Sequence, residues 1–146
     1  MWLIAVSGFT ATVGFGVLFN IKGKKLYLAG IGGMLGGVIY SLCKMNECPE
    51  ALSLFYAGVG FALYSEIFAR ICRTPVTTFI ICALIPLVPG KGMYETMRYA
   101  VAGDAQTALQ TGLDTLIYAG ALALGIILVS TLMRFLCHHP KPSKTI

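Results

Sequence analysis

Apolar residues run along this chain in blocks separated by short polar interruptions. Met1–Ile21 carries no charge and closes on Lys22, Lys24 and Lys25. Leu26–Cys43 is the second block and ends at Lys44-Met45-Asn46-Glu47-Cys48-Pro49-Glu50. Ala51–Phe68 is the third and ends at Arg70 and Arg73. The fourth starts at Pro75, a residue suited to the first helical position. The fifth is Leu113–Phe135, followed by the polar tail Cys137–Ile146. Each block approaches the roughly 20 apolar residues needed to cross a bilayer as a helix. The pattern predicts an all-α polytopic membrane protein with about five transmembrane helices, forming one domain over residues 1–146. Met1–Phe19 lacks a basic leader stretch, so it is expected as a retained span and not as a cleaved signal.

The fourth block is interrupted. Ile85-Pro86-Leu87-Val88-Pro89-Gly90 sits where a helix should continue. Each proline removes a backbone donor and clashes with the carbonyl four residues back. Within a membrane, unwound backbone is tolerated only where protein buries it or where it lines a wet cavity. Transporters use such breaks to aim helix ends and free backbone groups at a substrate. The plainer reading is that the prolines mark the end of a span. After the break, Lys91–Gly103 has Met93, Met97 and Val101 on one stripe and Lys91, Glu95 and Arg98 on another. This pattern fits a half-helix re-entering the membrane or a helix lying in the interface, ended by Gly103-Asp104.

Composition narrows the class. Apolar residues make up 57% of the chain and charged residues 12%, against about 25% charged in soluble domains. The net charge of +5 is scattered between apolar runs, so no nucleic-acid partner is expected. Its arrangement sets topology instead. Lys22, Lys24, Lys25, Arg70, Arg73, Arg134, Lys141 and Lys144 fall on one predicted side. Lys44, Lys91 and Arg98 fall on the other, mixed with acids. The positive-inside rule then gives N-out, C-in with five spans. Trp2, Tyr27, Tyr40 and Phe135 lie near span ends, as interfacial aromatics do. Gly32 and Gly36, and Gly33 and Gly37, share helix faces that permit close packing.

Candidate chemistry is sparse. No nucleophilic triad, phosphate loop or metal-ligand spacing is present, so neither an enzyme nor a cofactor is expected. Cys43, Cys48, Cys72, Cys82 and Cys137 are read as free thiols, with a Cys43–Cys48 pair as the alternative. His138-His139 is read as solvated. Glu66 lies inside the third block, one turn from Arg70. It is either a coupling carboxylate or half of a pair at the membrane edge. Asp114 opens the fifth block, where it suits the positive helix end or coupling. Asn20 ends the first block, as a cap or as a residue facing a site.

Several segments together resemble a known family. Gly14-Phe15-Gly16-Val17-Leu18-Phe19-Asn20, Glu66-Ile67-Phe68-Ala69-Arg70, Thr74-Pro75 and Pro86-Leu87-Val88-Pro89-Gly90 with downstream Tyr94 are similar to the threonine/serine exporter (ThrE) family. Length and span number are similar to the short membrane subunit of its split, two-protein form (YjjB-type). The resemblance implies an inner-membrane secondary exporter working with a larger ThrE-family membrane subunit. It implies small carboxylate-bearing substrates, threonine and serine or succinate-like dicarboxylates. On that reading Pro86, Pro89, Gly90, Tyr94, Arg98 and Asn20 are substrate-site candidates. Glu66, Arg70 and Asp114 are ion-coupling candidates. A non-transporting scaffold or a channel-like pore are the alternatives.

Overall fold

A computed structural model describes residues 2–21 and 23–136. Lys22, Cys137, His138, His139, Lys141 and Lys144 lie outside the described residues. Six α-helices follow in order: α1 (Trp2–Leu18), α2 (Lys24–Met45), α3 (Glu50–Ile71), α4 (Val76–Leu84), α5 (Gly90–Val101) and α6 (Ala105–Leu136). A 3-10 turn over Ile85–Leu87 joins α4 to the break. No strand occurs among the described residues, as the block pattern predicts.

Helix ends are cut by one device used four times. Ile21 N–H donates to the Gly16 carbonyl, Cys48 to Cys43, Thr74 to Ala69 and Asp104 to Tyr99. The residue before each donor has a left-handed backbone: Asn20, Glu47, Arg73 and Gly103. This is the Schellman closure, which pairs carbonyls the helix end would otherwise leave bare. Gly103 adopts it without steric cost, whereas Asn20, Glu47 and Arg73 hold it with a Cβ.

α1 packs antiparallel on α2, and α2 antiparallel on α3. Small residues set the spacing. A Cβ on Gly33 would run into the Thr12 side chain, and one on Gly30 into Phe9 at 2.6 Å. Gly32 and Gly36 turn the other way: their Cβ atoms would meet Tyr64 at 3.1 Å and Leu87 at 2.7 Å. α2 thus uses one glycine face for α1 and another for α3 and α4. Gly33 is spent within the chain, so it does not mark a surface for a second subunit.

α3 and α6 lie parallel. Gly58 faces Leu122, Gly125 sits against Phe55 and Val59, and Arg70 reaches the Met133 carbonyl. Parallel neighbours require the intervening chain to return to the starting end, and α4 with its 3-10 turn does this. Phe79 packs with Ala29, Ala69 and Cys82 at one end of the bundle; Leu87 packs with Leu54, Ala57, Phe61 and Leu122 farther along. The described basic ends, Lys25, Arg70, Arg73 and Arg134, gather at the Phe79 end, and Lys44 and Glu47 lie at the other. This agrees with the sided charge pattern.

α2 from Lys25, α3 and α6 are each long and apolar enough to cross a membrane; α4–Leu87 and α5 would make a fourth, bent by 50°. α1 is apolar but short, so length alone supports three or four crossings where the block pattern predicts five.

α6 departs most from expectation. It begins at Ala105, ahead of the predicted Leu113, and its 32 residues give about 48 Å at 1.5 Å per residue. The contacts of Gly125 with Phe55 and Val59 and of Leu122 with Leu54 set Ile117 about level with Glu50, the first residue of α3. Ala105–Leu116 therefore projects beyond α3 by about 18 Å. This stretch holds Gln106, Thr107, Gln110 and Thr111, too polar for a membrane interior. α5 packs antiparallel along it, with Gly92 against Thr115 and Gly112 against Thr96. α5 does not re-enter beside α4; it leaves the bundle and forms a projecting hairpin with the start of α6.

Candidate functional site

The break works as the proline spacing dictates. α4 stops at Leu84, and the 3-10 turn carries Pro86. Val88 is extended, and Pro89 precedes α5 with φ −72° and ψ 60°. Gly90 N–H donates to the Val88 carbonyl at 2.7 Å, and Met93 N–H to Pro89 at 3.3 Å. The break lies between the buried Leu87 and the exposed face of α5, at the level of the closing turns of α2 and the first turn of α3.

A cavity of about 250 Å³ opens there. Pro86, Pro89, Gly90 and Lys91 form one wall; Tyr40, Glu50 and Leu54 form the other. Tyr40 Oη donates to Glu50 Oε1 at 2.9 Å, and Lys44 Nζ to Glu50 Oε2 at 3.3 Å. Lys91 pairs with Glu95 at 3.7 Å, with its own ammonium well exposed. α5 presents its positive N-terminal end to the cavity.

The other sequence candidates are dispersed. Tyr94 is exposed on α5, and Arg98 lies over the Tyr99 ring at 4.6 Å to its centroid. Neither lines the cavity. Asn20 caps α1 through its backbone, exposed, at the opposite end of the bundle. Glu66 is 7% exposed; Arg70 Nη2 donates to its Oε2 at 3.4 Å and to the Met133 carbonyl at 3.1 Å. Beside Glu66, the Ser65 hydroxyl is buried without a hydrogen-bond partner among the described residues. Asp114 does not open a helix: it stands in the third turn of α6, exposed. The capping role belongs to Asp104, whose Oδ1 accepts from Thr107 N–H at 3.2 Å. Bonding to Thr107 holds the Asp104 carboxyl below its usual range. The thiols of Cys43, Cys48, Cys72 and Cys82 are free.

Tyr40, Glu50 and Lys91 are the cavity residues that sequence reasoning missed. Tyr40 reads as an interfacial aromatic, and Glu50 and Lys91 as charges closing a loop. The signal that two acids and a lysine surround the Pro49 turn is too short-range to point at a segment 36 residues downstream.

Residues 4–132 match the family described as Threonine/Serine exporter, ThrE. The chain belongs to that family. Its apolar helices and this membership make it a multi-pass membrane protein of a transporter family. An uncharacterised protein of Haemophilus influenzae is 29% identical over 126 residues, covering 80% of this chain and 42% of that protein. The chain thus spans less than half the length of the curated relative it matches. No solved structure matches.

Proposed function

We propose that this ThrE-family chain is one membrane subunit of a secondary exporter for small carboxylate-bearing metabolites, and that the Pro86–Gly90 cavity is its part of the substrate path. The observation that carries the reading is the cavity itself. A broken helix opens a small, mainly apolar space with Tyr40, Glu50 and Lys91 as its polar points and the start of α5 at its edge. At about 250 Å³ it is below the usual volume of drug-sized pockets, roughly 300–1,000 Å³, and suits a metabolite of a few heavy atoms. Gly90 N–H is taken by the Val88 carbonyl, and the remaining first-turn amides, those of Lys91 and Gly92, have no helical carbonyl behind them and favour an anion. Lys91 adds a positive charge on the same wall.

Five crossings complete the arrangement, with α1 and the bent α4 segment joining α2, α3 and α6. The sided charges favour N-out, C-in in the cytoplasmic membrane. The relative's greater length favours a second, homologous half, supplied to this chain by a larger ThrE-family subunit. An odd number of spans lets two such halves insert as an inverted pair. Glu66 with Arg70 remains the membrane-embedded ion pair for coupling, held against the end of α6.

The test is transport by the assembled complex after Pro86→Ala with Pro89→Ala. The double variant restores continuous helix bonding and closes the cavity wall. Export of serine, threonine and succinate should fall at least tenfold while insertion and assembly persist. Near-normal export would reduce the break to a helix end and favour a scaffold role.

A further inference from the structure

Glu50 is the carboxylate that lines the cavity at the break; the other described carboxylates stand elsewhere. Glu66 is enclosed with Arg70, Glu95 is engaged by Lys91, Asp104 caps α6, and Asp114 is exposed on α6. Glu47 sits in the left-handed closure of α2. Glu50 also stands on a firm base. Pro49 fixes the entry to α3, Tyr40 holds one carboxylate oxygen and Lys44 the other. Each carboxylate oxygen accepts about two hydrogen bonds, so these two partners orient the group and leave acceptor capacity. Its side chain is 39% exposed and is therefore reachable from the cavity.

The facing wall has the opposite character. Lys91 and the opening turn of α5 stand across from Glu50. Each wall carries an ion pair, Glu50 with Lys44 and Lys91 with Glu95; a zwitterion between them can offer its ammonium to the remaining acceptor sites of Glu50 and its carboxylate to the exposed Lys91 ammonium. A dianion would satisfy the α5 wall and place its second charge against Glu50, where like charges at close range repel.

We propose that Glu50 is the specificity residue of the cavity: it receives the ammonium group of an amino-acid substrate and disfavours dicarboxylates. This deepens the exporter reading and rests on it for transport, though not for binding.

The experiment measures equilibrium binding of radiolabelled L-serine and succinate to the full chain in nanodiscs, with and without a co-expressed larger ThrE-family subunit. Export is measured in parallel. Wild type should prefer L-serine. Glu50→Gln should weaken L-serine binding at least tenfold and leave succinate binding unchanged or tighter. Glu50→Asp should retain part of the preference. Gly120→Ala, whose added methyl meets nothing within 4 Å and lies away from the cavity, should retain the full preference. Equal loss of both ligands in Glu50→Gln, the same loss in Gly120→Ala, or no serine preference in wild type would overturn the assignment and leave Glu50 a structural link. Glu50-dependent serine binding without export would sink the exporter reading alone. Export indifferent to Glu50 would sink this inference alone.

Discussion

Gly125→Ala tests the glycine that lies tightest against the backbone of a neighbouring helix. A Cβ built at Gly125 would lie 2.7 Å from the Phe55 carbonyl oxygen and 3.2 Å from the Val59 nitrogen. Both neighbours are backbone, so neither can swing aside as a side chain would. Ordinary contact begins near 3.4 Å, so α3 and α6 must separate by about 0.7 Å. Overfilling a packed site in this way costs about 1–3 kcal/mol. The displacement also strains the Arg70 bond to the Met133 carbonyl, farther along the same interface. For a chain of this size the loss corresponds to roughly 3–10 °C in melting temperature. Gly120→Ala is the control: the same helix and the same added methyl, with nothing within 4 Å. Thermal unfolding in detergent, followed by labelling of the buried Cys82 thiol, reads both variants. Equal melting temperatures for Gly125→Ala, Gly120→Ala and wild type would refute the parallel α3–α6 contact.

Three further outcomes are expected. Arg70→Gln should destabilise the chain by about 1–3 kcal/mol, because it strips the buried Glu66 of its partner, and adding Glu66→Gln should recover part of the loss in a double-mutant cycle of chemical denaturation. The Asp104 carboxyl is held low in the folded state, so the stability it gives the start of α6 is present above its unfolded pKa and lost as pH falls through the folded one. The protection of the Gln106 and Thr107 amides, taken relative to their intrinsic exchange rates at each pH, should fall on acidification below about pH 4, and Asp104→Asn should remove that dependence. Cysteines introduced at Lys24 and Asn46 in a cysteine-free background should label from opposite sides of the membrane; same-side labelling of both would break the alternating topology.

How far the sequence carried differs from element to element. α2 and α3 were legible almost to the residue, because an apolar block bounded by charge has few ways to fold in a bilayer. The break was legible because proline chemistry is local. The start of α6 was not: Ala105–Gly112 is neutral and partly polar, so no apolar block marks it, and its helix rests on the Asp104 cap and on α5 lying along it. Asp114 was misplaced for the same reason, since its role hung on where the helix began. The cavity escaped because it joins the turn at Pro49 to the break at Pro86. That meeting depends on α4 running back along α3 to the Pro49 end, and no periodicity along one segment encodes it.

The parallel pairing of α3 and α6 also dictates an order of birth. α1, α2 and α3 are sequential antiparallel neighbours and can pair as they leave the ribosome. α3 then waits with Gly58 bare toward the lipid until Gly125 has been synthesised. α4 is too short to hold a bilayer by itself, so its place between α2 and α3 is secured by Phe79 and Leu87 meeting neighbours already inserted. Late arrival of α6 locks the set, and a nascent chain stopped before Gly125 would leave an open groove for quality-control proteases to read.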